Sequence, residues 1–88
     1  MNCVYVLLCG DGSLYTGWTN DLAKRVTAHQ NGKGAKYTRA HLPVTLVYHE
    51  EYADKSAAMQ REAAIKALPR AQKLALIEAA DQIQKNPL

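Results

Sequence analysis

The sequence has few of the residues that build disulfide frameworks, zinc sites or membrane spans. Only two of its 88 residues are cysteines. Cys3 and Cys9 lie on one expected strand, too far apart along it to form a disulfide. No CxxC or HxxxH spacing indicates zinc, and no apolar run approaches the roughly 18 residues of a membrane helix.

The start of the chain also lacks a basic segment ahead of its apolar run, so we expect no signal peptide. Without an extracellular signal or a disulfide framework, the two cysteines are expected to be reduced core thiols. These absences together predict one small cytoplasmic domain.

Acidic residues are missing from the middle of the chain. Between Leu22 and His49 there are five basic residues and all three histidines, but no aspartate or glutamate. A positive segment in a near-neutral remainder favours a phosphate-bearing partner, although an ordinary solvated face has the same composition. Aromatic rings interspersed with cations are typical of single-strand binders. We therefore predict nucleic-acid binding by Lys24, Lys33, Lys36, Tyr37 and Arg39.

Hydrophobic periodicity and turn residues predict three strands and three helices. The strands are expected at 3–9, 13–18 and 44–51. Residues 32–43 are expected to form a polar, basic loop. The first helix is expected to begin after Asn20 or Asp21 and to end near Gln30, with Gly32 as its left-handed terminator. The other helices are expected at about 55–68 and 69–80, because Leu68-Pro69 separates them. We predict one domain over 1–82 and a frayed tail over 83–88.

These elements predict an α/β fold of the α+β type. The first two strands must pair antiparallel because a short Gly-Asp-Gly turn joins them. The first strand is apolar on both faces, which indicates a central position, so the third strand is expected on its other edge. The prediction is a three-stranded antiparallel sheet of order 2-1-3, with topology β-β-α-β-α-α and helices packed on the sheet.

Four polar residues near the hairpin have positions typical of a reactive site. Tyr5 and Tyr15 flank the turn and are expected on one sheet face, although a one-residue slip of register would reverse it. Arg25 and His29 share one face of the first helix, at its seam with the sheet. Each residue alone has an ordinary explanation, as a core ring or a surface side chain. Only the combination indicates a site.

Glu62 is the fifth candidate, and it lies in an apolar arc of its helix beside Ala58, Met59 and Ile65. An unpaired carboxylate there would be costly. One explanation is an ion pair with Lys66, four residues on, worth about 0.2–0.5 kcal/mol. The other is a bound cation, because one carboxylate with several waters suits Mg²⁺. The sequence leaves both explanations open.

The order of these residues resembles the GIY-YIG nuclease domain. The chain has "VYV", then a turn, then "YTG", followed by Arg25 and His29 and, in a later helix, Glu62. The most specific part is "YTGWTNDLAKRVTAHQNGKGAKYTR", and "AMQREAAIKAL" is the second anchor. The resemblance covers about 2–80 and is to the small stand-alone bacterial members of the family.

The resemblance implies a metal-dependent endonuclease that hydrolyses phosphodiester bonds in DNA, on branched or single-stranded forms, in repair or recombination. Tyr5 and Tyr15 would be the motif tyrosines, Arg25 the helix arginine, His29 a catalytic residue, and Glu62 the ligand of one Mg²⁺ or Mn²⁺ ion.

Such residues suit the reaction that the resemblance implies. A guanidinium holds two phosphate oxygens in a fixed fork, and a divalent ion neutralises another. A base must also take the proton of the attacking water. Tyr5 could do so if a nearby cation lowers its pKa, and His29 titrates near neutrality. The resemblance favours Tyr5, and the residues alone do not decide.

The chain departs from the family pattern at several positions. Val4 replaces the first glycine of the motif, Thr16 replaces the isoleucine, and Trp18 stands where a larger relative has lysine. The only asparagine beyond the Glu62 helix is Asn86, in the tail. Two alternatives therefore stay open: a non-catalytic nucleic-acid-binding domain that retains the nuclease fold, and an interaction domain that docks on a repair protein.

Overall fold

The structure, a computed structural model, describes residues 1–85 and the side chains of residues 1–81. The chain forms three strands and four helices: β1 (Asn2–Leu8), β2 (Leu14–Thr19), α1 (Leu22–Gln30), α2 (Lys36–Ala40), β3 (Thr45–Tyr52), α3 (Lys55–Lys66) and α4 (Arg70–Lys85). Asn86 and the end of the expected tail lie outside the described residues, and the domain bounds of 1–82 stay a prediction.

The three strands form one antiparallel sheet in the order β2-β1-β3, which confirms the predicted sheet. In the β1–β2 register Leu7 lies opposite Tyr15, and Tyr5 lies opposite Gly17. Because side chains alternate along a strand, Tyr5 and Tyr15 point to the same sheet face. β1 is covered on both sides, as its apolar sequence predicts.

The two faces of the sheet bury separate apolar clusters. On one face Tyr5 and Leu7 pack with Val44 and with Leu22 and Val26 of α1. On the other face Val4, Val6, Trp18 and Tyr48 pack with Ala58 and Ile65 of α3 and with Leu76 and Ile77 of α4. The helix that carries Arg25 and the helix that carries Glu62 therefore lie on opposite faces of the sheet.

Side-chain caps fix the starts of two helices. Asp21 accepts a hydrogen bond from the Lys24 amide at the start of α1, and Asp54 accepts one from the Ser56 amide at the start of α3. After α1 the chain turns at Gly32, whose φ of 74° is the left-handed conformation that glycine adopts readily. These local signals were readable from the sequence.

The structure corrects the prediction of a loop over 32–43, because residues Lys36–Ala40 form the short helix α2. The N-cap of α2, Ala35, makes no side-chain capping bond, so the sequence carried no start signal. The last helix also differs: it runs from Arg70 to Lys85 rather than ending near residue 80. Pro69 precedes it and accepts from the Gln72 and Lys73 amides.

Both cysteines are free and buried, as predicted for core thiols. Among the described residues, no helix has the length and apolar character needed to cross a membrane.

Candidate active site

The phenol of Tyr5 lies at the centre of the candidate site, packed against the backbone of the edge strand β2. Tyr5 is 1 % exposed. A methyl group at Gly17 would lie 2.5 Å from the Tyr5 hydroxyl oxygen, so a side chain at that position would displace the phenol. Because Gly17 has no side chain, the Tyr5 phenol can lie directly on the backbone of β2, a close approach of the kind that glycine in a strand permits.

A continuous chain of hydrogen bonds runs from Tyr5 through His29 to α2. The Tyr5 hydroxyl lies 2.9 Å from His29 Nε2, and His29 Nδ1 lies 2.7 Å from Thr38 Oγ1. Thr38 in turn donates to the carbonyl oxygen of Ala35 at 3.0 Å. His29 and Thr38 are both buried. We expected His29 at the seam between helix and sheet, and the structure places it in the interior.

The hydrogen bond from Thr38 to Ala35 favours one direction for this chain. A carbonyl oxygen only accepts, so Thr38 uses its one proton on Ala35 and offers a lone pair to His29. With Thr38 accepting, the tautomer with its proton on Nδ1 is favoured, and in that tautomer Nε2 accepts from the Tyr5 hydroxyl. The Ala35 amide is also 3.4 Å from Nδ1, which is too long to compete with the 2.7 Å contact. His29 is thus arranged to receive a proton from Tyr5.

Burial favours the neutral forms of both Tyr5 and His29, so it raises the pKa of the phenol and lowers the pKa of the imidazole. Burial and the nearby Tyr15 raise the pKa of Tyr5 to about 12, and Glu62 adds to the rise, while Arg25 opposes it. Roughly one phenol in 10⁵ is then ionised at pH 7. The Arg25 guanidinium does lower this pKa, but desolvation outweighs it, so the condition on which Tyr5 would act as a base is not met in the free protein. Tyr5 is consequently not a free base by itself.

His29 is held neutral for the same reason. Burial lowers the pKa of His29 below its ordinary value of 6.5, and the Arg25 charge lowers it further. A neutral imidazole with a free Nε2 lone pair can accept a proton, which a charged one cannot. Gly34 packs directly on the His29 imidazole. A methyl group at Gly34 would lie only 2.2 Å from Nδ1, so a side chain there would displace the ring.

Three more aromatic rings lead outward from this pair. The Tyr15 ring centroid lies 5.3 Å from that of His29 and 6.1 Å from that of Tyr37, and Tyr37 stacks on His41 at 4.3 Å. Tyr37 also donates to Ser13 Oγ at 2.6 Å, which ties α2 to the β1–β2 turn. Tyr15 is half-buried and Tyr37 is exposed, so the row connects the buried pair with solvent.

Glu62 approaches this cluster from the opposite face of the sheet. Its helix α3 covers the face of Val4 and Val6, whereas Tyr5 points to the other face. The Glu62 carboxylate is nevertheless close enough that its charge contributes to the raised pKa of Tyr5. The site thus spans the edge strand β2, with the phenols and imidazole on one side and the acid on the other.

The Glu62 carboxylate is 20 % exposed and lies 3.5 Å from the ammonium group of Lys66. The ordinary explanation, an ion pair within the helix, is therefore present. A pair of this kind contributes little free energy and does not prevent exchange of the ammonium for a metal ion. No group of three or more His, Cys, Asp or Glu side chains able to hold a metal occurs in the part of the chain that the structure describes. A single oxygen ligand fits Mg²⁺, which keeps most of its waters.

The predicted nucleic-acid-binding residues all lie on the surface of α1, α2 and the segment between them. Lys24, Lys33, Lys36, Tyr37 and Arg39 are each exposed. Arg25 is exposed as well and lines a concave surface with Lys24 at the start of α1. The basic segment therefore forms one side of the site, next to the row of aromatic rings.

One polar cluster was missed from the sequence and holds α3 in place. Arg61 donates two hydrogen bonds to the Glu50 carboxylate, at 2.9 and 3.0 Å, and the hydroxyls of Tyr48 and Tyr52 donate to the same carboxylate. Burial opposes ionisation of Glu50, but these hydrogen bonds outweigh it and lower its pKa to about 2. Because Arg61 precedes Glu62 directly, this cluster fixes where Glu62 lies.

The spacing of Tyr48, Glu50 and Tyr52 was the available signal. Residues two apart on a strand share a face, so these three were bound to meet. The sequence gives no indication that Arg61 is their partner.

Comparison with known proteins gives consistent matches over most of the chain. The family model of the GIY-YIG catalytic domain matches residues 1–75. A UPF0213 protein of Streptococcus sanguinis is 60% identical over 79 residues, which cover 90% of this chain and 91% of the relative. A UPF0213 protein of Clostridium perfringens is 56% identical over 86 residues, covering 98% of this chain and 92% of the relative.

Two solved structures are also similar. The solution structure of a UPF0213 protein from Bacillus halodurans superposes with a TM-score of 0.59 at 45% identity, covering 90% of this chain and 85% of that one. The solution structure of a protein from E. faecalis has the same TM-score at 38% identity, covering 99% and 90%.

Proposed function

The chain belongs to the GIY-YIG catalytic domain family, a family of nuclease domains, and from this premise we propose that it is a divalent-metal-dependent endonuclease that hydrolyses phosphodiester bonds in DNA. Its proposed catalytic residues are Tyr5, Tyr15, Arg25, His29 and Glu62. We propose DNA repair or recombination as the biological process it serves, and this proposal rests only on the class of reaction. The free buried thiols support a reducing compartment such as the cytoplasm.

The observation that carries the proposal is the directed hydrogen-bond chain from Tyr5 to Thr38. A buried phenol that donates to a neutral imidazole can act as a proton relay, and we assign that role to Tyr5 and His29. As water attacks phosphorus, its proton passes to the Tyr5 oxygen while the Tyr5 proton passes to His29 Nε2. Neither residue then has to ionise alone, which removes the difficulty of a phenol whose pKa is about 12.

The remaining residues act on the phosphate. Arg25 is placed to hold two phosphate oxygens in a bidentate fork, where it stabilises the charge that grows in the transition state. Tyr15, whose ring contacts His29, is placed to orient the phosphate or the water. Glu62 would hold the metal ion, which when bound supplies charge neutralisation at the phosphate and the leaving oxygen. The leaving oxygen takes a proton from solvent, and His29 returns its proton to solvent through Tyr5.

The proposal is tested by incubating the purified protein with branched, nicked and single-stranded DNA in Mg²⁺ or Mn²⁺ and measuring cleavage. We expect cleavage that EDTA abolishes. Arg25→Ala and Glu62→Gln should each reduce its rate about 100- to 1,000-fold, the usual effect of removing one group that stabilises transition-state charge. Gln60→Ala, exposed on the same helix as Glu62, is the matched control and should cut at the normal rate.

Equal cutting by the two active-site variants would show that a contaminant is responsible and would refute the proposal. Binding of DNA without any cutting would instead support the alternative of a non-catalytic domain. In that case affinity would depend on Lys33, Lys36 and Arg39, with a clear dependence on salt.

A further inference from the structure

A second concave surface adjoins the site and shares Tyr15 with it, and its two lysines have no role in the proposed chemistry. It lies between the start of β2, helix α2 and the junction of α3 and α4, and its volume is about 350 Å³. Its walls are formed by Leu14, Tyr15, Thr16, Tyr37, Lys66 and Lys73, and we call it the β2 groove.

The β2 groove meets the candidate site at two points. The Tyr15 ring in its wall contacts His29, with ring centroids 5.3 Å apart. Lys66 in its other wall lies 3.5 Å from the Glu62 carboxylate. A strand whose scissile phosphate lies between these groups would place its next nucleotide in the groove.

The two walls have different chemistry. One presents Leu14 with the rings of Tyr15 and Tyr37, and the other presents the ammonium groups of Lys66 and Lys73. Lys73 is partly buried, and no carboxylate in residues 1–81 lies within ion-pair distance of it. Among these residues Lys73 therefore has no acidic neighbour to neutralise its charge, and it is available to an anionic ligand in the groove.

The floor of the β2 groove contains a second unsatisfied group. Thr16 is 4 % exposed, and its hydroxyl has no hydrogen-bond partner among the described residues. Its side chain stands where the family motif has isoleucine, so an apolar core residue has been replaced by a buried polar one. An unpaired buried hydroxyl costs about 1–3 kcal/mol. This hydroxyl is itself covered, so it lies beneath the groove and is not a contact for a ligand.

We propose that the β2 groove binds one unpaired nucleotide of the substrate strand, next to the scissile phosphate. Lys66 and Lys73 hold its phosphate, and the aromatic wall contacts its base and sugar. The volume suits one nucleotide rather than a base pair. The inference rests on the proposed function and narrows its substrate to DNA that is single-stranded on one side of the cut.

The test measures binding rather than cleavage, so that it does not depend on catalysis. A short fluorescein-labelled single-stranded DNA is titrated with the protein in EDTA, and anisotropy is followed over a range of salt concentrations. Lys73→Met should weaken binding about 5- to 10-fold and reduce the slope of log K against log salt by about 0.7, the value for one contact with a single strand. The same DNA in a fully paired duplex should bind equally to both proteins.

The control is Lys55→Met, which removes the same charge from the other end of α3. Lys55 lies eleven residues before Lys66, roughly 16 Å along the helix, which is beyond the Debye length of about 8 Å at physiological salt. This variant should leave affinity unchanged. Lys73→Gln provides a second substitution, and thermal melting of each variant checks folding.

Neutral methylphosphonate linkages then locate the contact. One linkage beside the cleavage position should weaken binding to the wild type and have no added effect on Lys73→Met. If Lys73→Met binds single strands as tightly as the wild type, or weakens duplex binding equally, the groove proposal is overturned while the nuclease proposal stands. If the wild type binds no DNA at all, both are overturned.

Discussion

At the scale of single residues, Thr38 influences which nitrogen of His29 carries the proton. The hydroxyl of Thr38 accepts from Nδ1 at 2.7 Å and leaves Nε2 free to accept from the phenol at 2.9 Å. A ring without this neighbour could carry its proton on either nitrogen. Thr38 touches no reacting atom, so it acts as a positioning residue for the relay.

Thr38→Val is therefore expected to slow cleavage on the order of 10- to 100-fold, with little change in KM. This is less than the roughly 10²–10⁴-fold that a general base contributes, because Thr38 acts only through His29. The valine removes the acceptor for Nδ1–H, which favours the wrong tautomer. Thr38→Ser keeps the hydroxyl and should restore most of the rate. Single-turnover cleavage measurements for the three proteins test this. Equal rates for valine and serine variants would exclude the positioning role.

The pH dependence of cleavage follows from the same residue. Only neutral His29 can accept the proton, and burial followed by the Arg25 charge lowers its pKa below 6.5. The rate should therefore be constant near neutral pH and fall only when the pH drops below the ordinary histidine pKa of 6.5. In Thr38→Val the imidazolium loses a hydrogen-bond acceptor, so this acid limb should move to still lower pH. A rate that falls already between pH 8 and pH 7 would contradict the account.

At the scale of elements, the sheet and the helix α3 are joined by the Glu50–Arg61 pair. The two hydrogen bonds from Arg61, together with those from Tyr48 and Tyr52, outweigh the burial of Glu50 and lower its pKa from 4.5 to about 2. The folded pKa lies below the unfolded one, so the resulting stability is present above pH 4.5. It is lost as the pH falls towards 2.

Glu50→Gln should reduce the free energy of unfolding at pH 7 by roughly 2–3 kcal/mol. The same variant should lose much of the drop in stability that the wild type shows between pH 4.5 and pH 2. Glu51→Gln, exposed on the same strand, is the control and should change stability by less than about 0.5 kcal/mol. Urea titrations at several pH values measure these effects. Equal stability of the two variants would show that the cluster does not anchor α3.

The elements also show where sequence reasoning succeeds and where it fails. The hairpin turn, the caps at Asp21 and Asp54 and the apolar faces of β1 are local signals, and they predicted the sheet order and most helix limits. Helix α2 is five residues long and has no side-chain cap, so no local sequence signal predicted it. Thr38 could not be linked to His29 for that reason, because their contact exists only once α2 forms.

Part of the candidate site could also be predicted from the sequence. Tyr5, Tyr15, Arg25 and His29 come from adjacent elements, so their proximity follows from short connections. The extent of burial was not readable: Tyr5 was expected on a sheet face and His29 at the seam between helix and sheet, and both are 1 % exposed. The raised pKa of Tyr5 follows from that burial, and only the folded chain shows how desolvation and the Arg25 charge compare.

At the scale of the whole molecule, the site is built across the edge strand β2. Helix α1 brings Arg25 and His29 to one face, and α3 brings Glu62 to the other. Gly17 lets the Tyr5 phenol reach the strand between them. On the proposed function, this arrangement lets the relay pair and the acid of Glu62 act on one phosphate from the two sides of β2.

The central claim is that Tyr5 and His29 form one proton relay for phosphodiester hydrolysis, and a double-mutant cycle tests it most directly. Single-turnover cleavage rates are measured for Tyr5→Phe, His29→Gln and the double variant. Residues that act as a unit are strongly non-additive, so the double variant should be no slower than the slower single variant. Rates that fall by the product of the two single effects, or single variants that cut as fast as the wild type, would contradict the account.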